Sequence, residues 1–197
     1  VPGEGIDDYY GHGTHIAGII AGNGANSNGS NYQFNIHGVA PGANLISLKV
    51  LNRQGQSTDA EVIAAIERAI ELKRLFNIKV INLSLGVPEH RLQQLPRRQQ
   101  LLRAIEEAYF KDVLVFAAAH NEHPFTRSYP AAFAPPLISV DKGLFTDPLG
   151  FAYQLRETVE FQAYAKGYLG PFAREPATSW ATPHLAGIAA RVLSLKP

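Results

Sequence analysis

Residues 78–86 read IKVINLSLG, and this short apolar run sets the fold of the chain. A run that is apolar at nearly every position is typical of a strand buried on both faces. Helical patterns precede it at 57–72 and follow it at 97–110, and residues 113–119, VLVFAAA, form the next apolar run. Strands that alternate with helices predict a mainly parallel sheet between two layers of helices, so the expected fold class is α/β.

The flanking segments continue this alternation. Further strands are predicted at 44–50 (NLISLKV), 137–140 (LISV) and 159–165 (VEFQAYA), and a last apolar helix at 182–195 (TPHLAGIAARVLSL). Residues 23–31, NGANSNGSN, have the composition of a surface loop. The sequence shows no internal repeat and no linker.

The helix at 57–72 has clear local signals. Thr58 and Glu61 fit a capping box, in which the side chain of each residue bonds the backbone N–H of the other. Apolar residues recur at helical spacing along one predicted buried face: Val62, Ile63, Ile66, Ala69 and Ile70.

Composition limits the classes of function. With 197 residues, 46% of them hydrophobic, the chain can bury one core, so we expect residues 1–197 to form a single domain. A formal charge of +1 provides no field to recruit nucleic acid or an acidic membrane. The arginine-rich segment 89–103 is interpreted as a solvated helix face. Without cysteine there is neither a disulfide framework nor a thiolate metal site.

Targeting signals are absent from the pattern. The apolar runs are too short to span a bilayer, and no stretch has the charged start and apolar core of a signal peptide. We therefore predict no membrane partner, and the sequence leaves the compartment open. Because the chain contains no methionine, we expect it to derive from a longer translation product.

Three polar stretches lie where strands end or helices begin, the places where open α/β sheets collect ligands. Residues 11–18, GHGTHIAG, put His12 at the start of a helix, Asn121 directly follows the strand at 113–119, and Ser179 lies at the entry to the last helix. The first helix also carries small residues that would let it lie deep in the protein: Gly13, Ala17, Gly18 and Ala21.

Each of these three residues has an ordinary structural interpretation when taken alone. A serine at a helix start is commonly an N-cap, a lone histidine a packing residue and a lone asparagine a turn former. Together they offer a nucleophile (Ser179), a base that accepts its proton (His12) and an amide that donates to an oxyanion (Asn121). The combination favours acyl transfer.

Five segments resemble those of the subtilisin-like serine peptidases, in the order of that family: GHGTHIAGIIAG, GVAPGANLISLKVL, VINLSLG, AAAHNE and TSWATPHLAG. The resemblance implies the subtilisin-like three-layer fold and hydrolysis of a polypeptide substrate through an acyl-enzyme. It implies that His12 is the general base, Ser179 the nucleophile and Asn121 the side-chain oxyanion donor, with the Ser179 backbone N–H as second donor.

The resemblance also assigns residues outside the triad. Ser84, Leu85 and Gly86 match the edge that pairs with an extended substrate. His15 and His184 match positions that pack and stabilise helices.

The chain departs from the family pattern at the third catalytic residue. The family carries an aspartate on a strand a few tens of residues before the histidine motif, whereas eleven residues precede His12. Asp7 and Asp8 resemble the loop that leads into the motif, so neither is assigned to the triad. In the family that strand lies between those resembling 44–50 and 78–86. We therefore expect a domain that is incomplete at its N-terminus, and also at its C-terminus, with the missing upstream segment as its partner.

Two further departures concern glycines of the family pattern, which are replaced by Ala177 and His120. If either position required a positive φ, the added Cβ would cost on the order of 1 kcal/mol. His120 would also narrow the adjacent specificity pocket. These changes keep open a second hypothesis, in which a decayed peptidase serves as a peptide-binding or interaction module.

Metal chemistry is the weaker alternative. His12, His15 and His184 with a carboxylate would suit zinc, and His120 with His123 repeats the spacing, but no HExxH pattern is present. The loop 23–31 leaves structural calcium open through amide and backbone oxygens, although it contains no carboxylate. We therefore expect no cofactor.

Overall fold

The computed structural model describes residues 1, 3–92, 95–122, 126–154, 159–167 and 175–195. Within these ranges the chain folds into α-helices and strands around a five-stranded sheet of order β1-β3-β5-β7-β6. The helices are α1 (His12–Ala21), α2 (Asp59–Phe76), α3 (Leu95–Phe110) and α4 (Thr178–Ser194). The strands are β1 (Val80–Leu83), β2 (Val87–Pro88), β3 (Leu114–Ala118), β4 (Ser128–Tyr129), β5 (Ile138–Gly143), β6 (Phe151–Tyr153) and β7 (Phe161–Tyr164).

The sheet is mainly parallel. Strands β1, β3, β5 and β7 run in the same direction, while β6 pairs antiparallel with β7. Strands β2 and β4 form a separate antiparallel pair. The predicted α/β class is therefore confirmed. The two antiparallel pairings were not predicted, because strands of two or three residues are too short to show a period.

Helices cover both faces of the sheet. α2 and α3 pack on one face around a core that includes Ile66, Ile105 and Leu137. α4 packs on the other face, where Leu185 joins Phe116. The predicted buried face of α2 and its capping box are both confirmed.

The arginine-rich segment lies largely on α3, as predicted for a solvated helix face. Arg97 and Arg103 are exposed and line a groove of about 370 Å³ between α2 and α3. Glu67 and Glu107 line the same groove, so its charges are balanced.

The prediction of a strand at 44–50 is wrong. Residues 44–50 pair with no strand among the described residues, and Leu45 and Ile46 remain 48% and 42% exposed. A strand needs a neighbour to satisfy its backbone groups, and apolar composition does not supply one. In the described part of the chain, β1 is correspondingly an edge of the sheet.

α1 lies less deep than its small residues predicted. Gly13 and Gly18 are exposed. A Cβ on Gly13 would make one ordinary contact, with Asp8, and a Cβ on Gly18 would make none, so packing requires a glycine at neither position. The helix instead buries Ile16 and Ile19 against Trp180 of α4. That expectation is corrected because a small residue permits close packing but does not provide the surface to pack against.

α4 begins at Thr178, four residues before the predicted start. Ser179 is thus the second residue of the helix, and the N-cap is Ala177, so Ser179 is not the cap. Ala177 has extended backbone (φ −136°), which any residue adopts, so the replacement of the family glycine causes no strain there. Pro183 has no N–H to donate to the Ser179 carbonyl one turn earlier.

No helix in the described ranges combines the length and the apolar character needed to cross a membrane.

Candidate active site

The ends of β1 and β3 and the start of α4 meet around one cleft of about 310 Å³. Two of the three predicted catalytic residues, Ser179 and Asn121, line it, and so do Leu85 and Gly86. The remaining lining residues are Pro88, Ala118, Ala119, His120, Glu122, Ser128 and Thr178. The cleft therefore lies at the carboxyl edge of the parallel strands, where the sequence placed the site.

Ser179 is half-buried at the amino end of α4. Its Oγ donates a hydrogen bond of 3.4 Å to the carbonyl oxygen of Ser84, which lies 95 residues earlier in the chain. As the second residue of a helix, Ser179 has a backbone N–H without an acceptor one turn back, at the positive end of the helix dipole. A negative oxygen formed next to Ser179 Oγ would be stabilised by both effects.

Asn121 is exposed just beyond β3, and its side chain reaches the start of α4. Its Oδ1 accepts a hydrogen bond from the backbone N–H of Thr178 at 3.1 Å. This bond occupies the acceptor end of the amide and leaves Nδ2 as a donor in a residue that lines the cleft. Asn121 can therefore cap α4 and donate to an oxyanion at the same time.

His12 is the first residue of α1 and is not among the residues that line the cleft. Its ring is 5.3 Å from the ring of Trp180, the residue after the predicted nucleophile. Burial lowers the pKa of His12, the negative charge of Asp8 opposes this effect, and His15 adds to it. The lowered pKa favours the neutral imidazole, which is the form that accepts a proton.

Asp8 caps the helix that carries His12. Its Oδ2 accepts hydrogen bonds from the backbone N–H and the Oγ1 of Thr14, at 2.8 and 2.7 Å, and its Oδ1 accepts from the N–H of Gly11 at 2.9 Å. Burial would raise the pKa of Asp8, but these hydrogen bonds outweigh it and hold the pKa below its usual value. Gly11 itself has φ +85°, a conformation that favours glycine.

His120 lines the cleft beside Asn121. Its Nδ1 accepts a hydrogen bond from the N–H of Glu122 at 3.3 Å, which closes a tight turn around Asn121. Among the described residues other than glycine, positive φ occurs at Asn77 and Asp112, so His120 replaces the family glycine without left-handed strain.

The predicted substrate edge follows β1. Ser84 is buried, and Gly86 approaches Ser128 so closely that a Cβ on Gly86 would lie 2.6 Å from Ser128 Oγ. Ser128 was missed by sequence reasoning, since its position depends on the pairing of β2 with β4. Its buried hydroxyl forms part of the wall of the cleft.

His15 and His184 occupy the packing positions that the resemblance implied. The His15 ring lies 4.7 Å from the Trp180 ring, and His184 is fully buried with its Nδ1 2.6 Å from the Trp180 carbonyl oxygen. Across the described ranges, no group of three or more His, Cys, Asp or Glu side chains is arranged to hold a metal ion. His123, part of the zinc alternative, lies outside those ranges.

Comparison with known proteins identifies the family of the chain. The model of the subtilase family of peptidases (S8) matches residues 1–169. The chain is 35% identical to an intracellular serine protease of Paenibacillus polymyxa over 98% of its own length and 56% of the relative. It is 32% identical to Subtilisin BL of Lederbergia lenta, over its whole length and 68% of that protein. The chain therefore belongs to the subtilase family of serine peptidases.

A solved structure supports the fold. The chain superposes on sphericase with a TM-score of 0.71 at 27% identity, covering 94% of this chain and 64% of sphericase. This likeness confirms the subtilisin-like fold. The chain spans about half the length of the first curated relatives it matches.

Proposed function

We propose that this chain carries the catalytic centre of a serine endopeptidase. Ser179 attacks the scissile carbonyl, and His12 accepts the hydroxyl proton and returns it to the leaving amine. The Asn121 Nδ2 and the Ser179 backbone N–H donate to the oxyanion of the tetrahedral intermediate. An extended polypeptide pairs with residues 84–86, and the chemistry uses protein groups without a cofactor.

The hydrogen bond between Asn121 Oδ1 and Thr178 N–H supports this proposal most directly. It joins the predicted oxyanion donor to the first turn of the helix that carries the predicted nucleophile. Asn121 and Ser179 line the same cleft, and because the amide oxygen is held, the amide nitrogen is left as the donor of that side chain.

The test is labelling of Ser179 by a serine-directed phosphonate, read by mass spectrometry together with peptide hydrolysis. Ser179→Ala should abolish both signals while the melting temperature stays close to that of the parent, since Ser179 does not cap α4. Ser194→Ala, in the exposed last turn of the same helix, is the matched control and should retain both signals. Hydrolysis that persists in purified Ser179→Ala would overturn the assignment.

We further propose that the third catalytic group is a carboxylate on a segment outside residues 1–197. Two features indicate where that segment would bind. β1 is an edge of the sheet in the described part of the chain, and the largely apolar residues 44–50 pair with no described strand. A strand between them would satisfy backbone groups on both sides. Loss of the carboxylate alone costs about 3 × 10⁴ in turnover in a subtilisin.

This second proposal is tested by comparing the chain with a longer form that includes the upstream family segment. We expect the longer form to melt at a higher temperature and to hydrolyse peptide faster. Equal melting temperatures and equal rates would contradict the proposal and return Asp7 or Asp8 to consideration as the orienting carboxylate.

The alternative function is a decayed peptidase that binds peptides without cleaving them. The replacements at 120 and 177 motivated it, but neither position is strained. Peptide binding without any labelling of Ser179, in this chain and in the longer form, would favour this alternative.

A further inference from the structure

A short series of hydrogen bonds connects the inside of β1 with the Ser179 hydroxyl. Ser179 Oγ donates to the carbonyl oxygen of Ser84 at 3.4 Å, and Asn82 Nδ2 donates to the hydroxyl oxygen of Ser84 at 3.0 Å. Ser84 thus has one contact with the predicted nucleophile through its backbone and one with Asn82 through its side chain. Any shift of Ser84 moves the acceptor of the Ser179 hydroxyl.

Ser84 is 7% exposed, so its hydroxyl depends on protein groups for its partners. It also lies one residue beyond Leu83, the last residue of β1 that pairs with β3. The Asn82 amide is therefore a contact that can fix the position of Ser84.

Asn82 lies beneath the helix that carries Ser179. Val80, on the same strand, packs with α4 residues, and residues two apart on a strand face the same side. The side chain of Asn82 is therefore directed toward the α4 layer, while its neighbours Ile81 and Leu83 pack on the opposite face.

Burial of the oxygen of the Asn82 amide is energetically unfavourable. Its Oδ1 is buried and accepts no hydrogen bond from any described residue. A buried acceptor without a donor costs free energy, whereas an apolar side chain of similar shape avoids that cost. An asparagine at this position is thus poorly explained by stability, and the hydrogen bond from Nδ2 to Ser84 is the favourable contact that it makes.

We propose that Asn82 is a positioning residue for the nucleophile. Its Nδ2 holds Ser84, and the Ser84 carbonyl holds the Ser179 hydroxyl at rest in the cleft, from which the hydroxyl turns to the general base. Asn82 touches neither substrate nor reacting atoms. This inference rests on the proposed role of Ser179.

The experiment is a double-mutant cycle with Asn82→Leu and Ser84→Ala, with the second-order rate of Ser179 phosphonylation, kcat, KM and Tm measured for each variant. Asn82→Leu should lower the phosphonylation rate and kcat on the order of 10-fold to 100-fold, as expected for a displaced reacting group, with KM little changed. Its Tm should stay close to that of the parent, because removal of the unpartnered Oδ1 offsets the loss of the Asn82 contact with the buried Ser84 hydroxyl. Ser84→Ala should lower the same rates, and the double variant should be no slower than the slower single variant.

The outcomes separate this inference from the proposed function. If Ser179 of the parent is not labelled at all, the proposed function fails and the inference fails with it. If the parent is labelled and Asn82→Leu reacts at the parent rate, or if the two substitutions act additively, the inference alone fails. Should Asn82→Leu not fold, Asn82→Val replaces it, since a β-branched side chain suits a strand and can neither donate to nor accept from Ser84; a parent rate in Asn82→Val overturns the proposal.

Discussion

The side-chain oxygen of Asn121 accepts a hydrogen bond from the backbone N–H of Thr178 at 3.1 Å, across 57 residues of sequence. Helix N-caps are usually supplied by the residue that immediately precedes the helix, but Ala177 has no polar side chain to do so. A residue from the end of β3 therefore caps α4, and the nitrogen of the same amide is left as a hydrogen-bond donor in a residue that lines the cleft.

This double use predicts separable effects on stability and rate. Asn121→Ala removes both the cap and the oxyanion donor, so we expect a loss of about 1 kcal/mol in the free energy of unfolding. We expect turnover to fall about 100-fold to 1,000-fold, the loss known for such a donor in a subtilisin. Asn121→Asp keeps an oxygen for Thr178 but lacks Nδ2, so it should retain stability and lose rate. Thermal unfolding and hydrolysis per folded molecule measure the two effects; a parent rate in Asn121→Asp would contradict the donor role.

The close approach of Gly86 to Ser128 predicts a narrow cleft that tolerates no side chain at residue 86. A Cβ there would lie 2.6 Å from Ser128 Oγ. Gly86→Ala should raise KM for large substrate side chains, lowering kcat/KM on the order of 10-fold. A second substitution, Ser128→Gly, should restore part of the loss by removing the clashing oxygen. If Gly86→Ala leaves kcat/KM unchanged for small and large substrates alike, the cleft does not hold the substrate side chain.

The burial of His184 predicts a loss of stability in acid. Burial lowers the pKa of His184 from 6.5 to about 4, against the opposing effect of its hydrogen bond to the Trp180 carbonyl. The unfolded chain therefore binds the proton more tightly than the folded chain, and stability is complete above pH 6.5 and is lost as the pH falls toward 4. The total loss from this residue is on the order of 3 kcal/mol.

Melting temperature measured against pH tests this prediction. His184→Asn is the control, because Asn Nδ2 can replace Nδ1–H as donor to Trp180 without titrating. Its melting temperature should depend less steeply on pH between 6.5 and 4. A slope as steep as that of the parent would assign the acid sensitivity to other groups, among which His12 and His15 also have pKa values lowered by burial.

The extended backbone of Ala177 predicts that restoring the family glycine is unfavourable. At φ −136° any residue fits, so the wider conformational range of glycine brings no benefit to the folded state. Glycine also increases the conformational entropy of the unfolded chain, which lowers stability. Ala177→Gly should lower the free energy of unfolding by about 0.5–1 kcal/mol and leave kcat per folded molecule unchanged. Chemical denaturation measures the change; a stabilised glycine variant would show that Ala177 is strained.

Local signals in the sequence determined much of the fold. The capping box of Thr58 and Glu61 and the apolar spacing of α2 depend on contacts three or four residues apart, so they can be recognised before any tertiary structure is known. The apolar runs at 78–86 and 113–119 likewise predicted β1 and β3. The motifs around His12, Asn121 and Ser179 indicated the chemistry only in combination, because each residue taken alone has an ordinary structural use.

The tertiary structure decided the features that depend on distant partners. Residues 44–50 have the composition of a strand, but a ladder requires a neighbour, and composition does not supply one. α4 starts at Thr178 because Asn121 caps it from 57 residues away, and Ser128 reaches the cleft because β4 pairs with β2. A pattern in sequence reports periodicity and local hydrogen bonds, whereas these contacts form only after loop closure has brought remote segments together.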